Sequence, residues 1–107
     1  MTDEKTIAWI FLATALATET GPTDTRGISM IADGINHAIP TQKELQTSFT
    51  WLTRHEFVAK QEGKYFLTTE GKIKYENASK DTKILFKIWE NLEEMIKKTC
   101  IISIFAL

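Results

Sequence analysis

The chain has 107 residues, 43% hydrophobic and 25% charged, with thirteen Lys and Arg against fourteen Asp and Glu and a formal net charge of -1. That length predicts one domain, 1–107, whose core buries roughly two thirds of the unfolded surface, and the average composition excludes global disorder and a fibrous repeat. The single cysteine, Cys100, excludes an internal disulfide and a cysteine-based zinc knuckle, and near-neutral charge removes the simplest argument for a nucleic-acid partner.

The first element is a helix within residues 1–20. Its run Ile7–Ala17 has the length of a signal-peptide core, and Ala15-Leu16-Ala17 imitates a cleavage site. Yet Asp3 and Glu4 outnumber Lys5 where positive charge is expected. The run is also far short of the ~20 residues that cross a bilayer. Apolar residues surround the helix axis instead of forming one stripe, so the expectation is a helix buried on most sides, in a cytoplasmic protein with no membrane contact.

Turn formers fill Gly21–Gly27. Ile28, Ile31, Ile35, Ala38 and Ile39 then recur at helical spacing, with Ala32 beside them, and Pro40 is expected to end that helix. Thr41-Gln42-Lys43-Glu44 fits a capping box and starts another helix at once, with Leu45, Ser48, Phe49 and Leu52 as its buried face. Two helices separated by one or two residues make a helix–turn–helix. Glu56–Lys60 reads as a strand, Gln61–Lys64 as a turn with Gly63 supplying the positive φ, and Tyr65–Thr68 as a second strand. Thr68 or Thr69 can cap a helix from about Glu70 to Ala78. Ser79 can cap the last one, whose stripe is Ile84, Leu85, Ile88, Trp89, Leu92, Met95 and Ile96.

The expected fold class is mainly α with a small β-hairpin (α+β). At the helix pair, the step Trp51-Leu52 into Phe57-Val58, and Tyr65-Phe66-Leu67-Thr68-Thr69-Glu70-Gly71, the stretch 28–78 resembles the winged helix-turn-helix of small bacterial transcriptional regulators of the MarR and PadR kind. An aromatic-x-Leu-Thr-x-x-Gly pattern is common there in the wing strand and the turn after it. Ile35–Thr41 is also similar to a group of small uncharacterised bacterial winged-helix proteins. The resemblance covers about half the chain and implies a DNA-binding regulator with additional N- and C-terminal helices; winged helices also dock proteins, so an adaptor without DNA binding is the alternative.

The resemblance places the second helix of the pair in the major groove. Turning Leu45, Phe49 and Leu52 inward turns Lys43, Thr47, Thr50 and Arg54 outward, with Gln46 on one flank. Lys and Arg suit phosphates or guanine edges, Gln suits adenine, and Thr suits a thymine methyl. Lys60 and Lys64 on the wing are candidate phosphate contacts, with Lys72 and Lys74 just beyond. Residues 1–40 hold two basic against five acidic side chains, residues 41–75 six against four, and residues 76–107 five against five. The small positive excess thus falls on the reader helix and wing, although a solvated helix face gives the same pattern. One copy would bind weakly and with steep salt dependence, and two copies on a palindromic site would help.

A homodimer is expected through residues 80–107, by way of Ile84, Ile88, Trp89, Leu92, Ile96, Ile102 and Phe105. The apolar tail IISIFAL either docks on its own domain or is covered by a partner subunit, and the second is the expectation. Trp9 is read as core, Trp89 as core or dimer seam, and Trp51 as a cover for the hairpin. His37 is placed on the outer face of its helix beside Asp33 and Met30, and His55 at a helix C-terminus, where its charge suits the dipole. Neither histidine has metal-ligand spacing with Cys100, which reads as a small buried hydrophobe. No nucleophile–base pair stands out, so no enzyme, metal or cofactor is expected.

Overall fold

The computed structural model describes the backbone of residues 1–105 and the side chains of residues 1–101. Among the described residues there are five helices, α1 (Asp3–Ala17), α2 (Thr25–Asn36), α3 (Gln42–Arg54), α4 (Thr69–Ser79) and α5 (Leu85–Phe105), and two strands, β1 (Val58–Gln61) and β2 (Lys64–Leu67). The fold is mainly helical, with one small antiparallel hairpin. No helix among the described residues is long and apolar enough to cross a membrane.

α1 is the hub. Every side chain from Thr6 to Ala15 is buried, because α2, α3 and α5 pack around it. Two tryptophans fasten this centre: Trp9 Nε1 donates to the Ala32 carbonyl at 2.9 Å and Trp89 Nε1 to the Lys5 carbonyl at 2.8 Å. Their rings stack with centroids 6.2 Å apart. An amphipathic stripe would serve a helix with one neighbour; a helix with neighbours on most sides needs apolar residues around its axis.

α2 ends earlier than the proline predicts. His37 adopts the left-handed conformation (φ 55°) and its N–H bonds the Asp33 carbonyl, closing the helix. Residues 37–41 therefore separate α2 from α3, and the turn is longer than expected. Past His37 the helical phase is lost, so Ala38 is exposed and Ile39 is 72% exposed; Ile31 lies on the outer side, and only Ile28, Ala32 and Ile35 form the buried face. His37 sits in the cap and not on the helix face.

α3 matches its expected face, with Leu45, Ser48, Phe49 and Leu52 buried. Its capping box closes through Thr41 Oγ1 accepting from the Glu44 N–H at 3.0 Å and Glu44 Oε1 accepting from the Thr41 N–H at 2.9 Å. The far end is a Schellman closure: Glu56 N–H bonds Thr53 and Phe57 N–H bonds Leu52. Glu56 has φ 61°, so the expected strand 56–60 begins only at Val58. The hairpin turns on Glu62 and Gly63, both at positive φ, between the paired residues Gln61 and Lys64; two such residues are what a two-residue hairpin loop requires. A feature missed in the sequence adds to this sheet. Thr23 bridges to Tyr65 through two backbone bonds of 3.1 and 2.7 Å.

Thr68 caps α4 and also joins it to the hairpin, its hydroxyl accepting from the Gly71 N–H and donating to the Glu56 carbonyl. Ser79 does not cap α5. It is the last residue of α4, with its hydroxyl on the Tyr75 carbonyl. Thr82 Oγ1 instead accepts from the Ile84 N–H ahead of α5.

The expected dimer seam requires correction. Ile88, Trp89, Leu92 and Ile96 are buried within this chain against α1, so their stripe needs no second copy to cover it. Ile84 is 67% exposed. The side chains of Ile102 and Phe105, like most of the tail, lie outside the described residues.

Candidate nucleic-acid interface

The rotation of α3 is set by its buried face, which packs on α1 and β1. Lys43, Gln46, Thr50 and Arg54 consequently stand exposed along its solvent ridge, while Thr47 is half-buried. A groove runs along each side of this ridge. On one side a groove of about 600 Å3 is lined by Lys43, Gln46, Thr47, Thr50 and Arg54 together with Asp3, Glu4, Trp51 and Cys100. On the other, a broader one of about 800 Å3 lies between α3 and the hairpin and includes Thr50, Thr53, Lys60, Glu56 and Glu70.

Lys60 is brought to α3 by ring packing. Its Nζ lies 5.4 Å from the Tyr65 ring centroid, and that ring stacks on Phe49 of α3 at 3.9 Å. Lys64 stands exposed beside the hairpin tip and lines neither groove. Lys72 lines a separate cleft with Glu19 and Tyr75, and Lys74 lies over the Phe57 ring at 5.9 Å, so neither lines the grooves beside α3. Trp51 stacks on His55 with centroids 3.9 Å apart, and His55 Nδ1 is 2.9 Å from the Trp51 carbonyl oxygen, which fixes the imidazole at the end of α3.

Ion pairs among the described residues are Lys87–Glu90 and Lys97 with Glu93 and Glu94, all on α5. Lys43, Arg54, Lys60 and Lys64 therefore have no carboxylate within ion-pair distance there. Such cations are available to an external anion without first breaking an internal bond. Asp3 and Glu4 were not anticipated in this neighbourhood. They occupy the first turn of α1, where carboxylates suit the positive end of the helix dipole. Only the packing of α1 on α3 brings them beside Lys43 and Arg54, so no local signal could have shown it. Cys100 is half-buried in the same groove and not fully enclosed.

Among the described residues, no cluster of three or more His, Cys, Asp and Glu side chains could hold a metal ion. Compared with known proteins, the chain matches no family model, no curated protein and no solved structure.

Proposed function

We propose that this is a winged-helix DNA-binding protein of the transcriptional-regulator kind, with α3 in the major groove and the β1–β2 hairpin as the wing. The order of elements supports it: α1, the Thr23 segment, α2, α3, β1 and β2, with Thr23 held beside β2 by its single bridge to Tyr65. The observation that carries the reading is the exposed ridge of Lys43, Gln46, Thr50 and Arg54, with Lys60 in the adjoining groove and Lys64 exposed beside the hairpin tip, these cations being unpaired among the described residues. Lys and Arg would meet phosphates or guanine, and Gln46 adenine. Two copies would double a modest phosphate count. At the start of α5 such a copy would find Ile84, Leu85 and Phe86 exposed.

Fluorescence anisotropy with labelled duplexes at low ionic strength tests this. Arg54→Ala should weaken binding by roughly 5- to 100-fold and lower the salt slope by about one. If the wild-type protein retains no duplex at low salt, the reading is lost.

One observation favours a protein-docking role instead: Asp3 and Glu4 give the groove beside Lys43 and Arg54 a mixed charge. Asp3→Asn with Glu4→Gln discriminates. A DNA-binding face should bind duplex more tightly once these carboxylates are neutral, whereas a docking groove of mixed charge would lose half of its complementarity.

A further inference from the structure

A cleft of about 570 Å3 opens between the end of α1, the turn at Gly21 and Pro22, β2 and α4, a size typical of small-molecule sites. Phe66 and Tyr75 line it with aromatic rings, and Glu19 and Glu76 with carboxylates; Lys72 is its one basic lining residue. The Tyr75 phenol is pushed above its ordinary pKa by burial and by the Glu19 carboxylate, which lines the same cleft. α1 also ends here with no basic residue in its last turn, so its C-terminal dipole meets no positive side chain within the helix, although the Thr14 carbonyl accepts from the Thr18 hydroxyl at 2.7 Å. Neither Glu19 nor Glu76 makes an ion pair or a side-chain hydrogen bond among the described residues.

We infer that this cleft binds an organic cation with a bulky aromatic or apolar body. The body fills the space between Phe66 and Tyr75, whose ring faces attract positive charge. Glu19, Glu76 and the carbonyl end of α1 select the sign of that charge. An anion of the same shape would meet two carboxylates and a helix C-terminus. The inference stands apart from the DNA reading, since none of these residues belongs to the ridge of α3.

The probe pair tetraphenylphosphonium and tetraphenylborate, alike in shape and opposite in charge, provides the test by NMR titration of the full chain. Phosphonium should shift resonances of Thr18, Gly21, Phe66 and Tyr75, and borate should leave these unmoved. Glu19 and Glu76 are exposed, so Glu19→Gln with Glu76→Gln keeps the fold and should weaken phosphonium binding roughly fivefold. Lys72→Gln should tighten it, an effect that partial unfolding does not mimic. Equal shifts from both probes at these residues, shifts centred elsewhere, or an unchanged affinity in the doubly substituted variant would each overturn the inference.

Discussion

Replacing Gly71 by alanine separates two accounts of why a glycine stands in the first turn of α4. In an ordinary helical position alanine gains up to ~1 kcal/mol over glycine. Here a β-carbon would run into the Phe57 carbonyl oxygen and stand 2.9 Å from its carbon and 3.3 Å from the Phe57 Cα. That carbonyl has little freedom to retreat. It accepts the Thr68 N–H at 3.1 Å, the Phe57 N–H is held by Leu52 at 3.0 Å, and the Phe57 ring packs on Phe11 of α1. Alanine must therefore push α4 off the hairpin and weaken the bonds around Thr68. Overpacking costs about 1–3 kcal/mol and each weakened bond about 1 kcal/mol, so the net loss after the propensity gain is about 2–4 kcal/mol. Urea unfolding followed by circular dichroism measures it directly, and the corresponding fall in Tm is about 10–20 °C. Gly34→Ala is the control: it lies within α2 with nothing near its β-carbon position, and it should add about 0.5–1 kcal/mol. If Gly71→Ala stabilises as Gly34→Ala does, the close approach of α4 to Phe57 is wrong.

Leu92→Ala and Ile96→Ala should each cost about 2–5 kcal/mol in the same assay because both side chains are buried within one chain; a cost under ~1 kcal/mol would mean that neither fills the core beside α1. The Ser48 hydroxyl is buried in α3 without a partner, so Ser48→Ala should leave stability unchanged or raise it by up to ~1 kcal/mol in the same assay. Glu56→Gly should stabilise by about 1 kcal/mol by relieving the left-handed backbone at the end of α3, and a loss would mean the carboxylate has a role of its own. Because the Tyr75 phenol titrates above its ordinary value of 10.0, its contribution to stability is complete below that pH. It falls as the unfolded chain ionises and pH climbs through the folded pKa; Tyr75→Phe should remove this alkaline component from a stability-versus-pH series.

The segment that was easiest to read in the sequence was Thr41–Leu52. Its capping box and its buried residues repeat at helical spacing, and both signals arise within one helix. The hairpin tip was legible for the same reason, since Glu62-Gly63 must turn the chain within two residues whatever surrounds it. The outward set Lys43, Gln46, Thr50 and Arg54 followed from the inward set by rotation alone, although Thr47 is half-buried. The end of α2 was not legible. Proline is a strong local stop, but the backbone had already left the helix at His37, and the apolar character of Ala38 and Ile39 carried the helical phase too far. Ser79 misled similarly, because a serine that bonds back into its own helix reads the same as one that caps the next.

Local chemistry, then, sufficed for which segments are helical, where most of them start, and which side of α3 turns away from the core. The partners of each face came from contacts distant in sequence. An apolar stripe on α5 states only that something covers it; that α1 does so, and not a second molecule, depends on how Trp9 and Trp89 meet across the whole length of the chain. The arrival of Asp3 and Glu4 beside Arg54, and of Thr23 beside Tyr65, has the same origin. Hydrophobic burial is non-directional, so periodicity reveals that a face is covered, while shape complementarity among whole elements selects the cover.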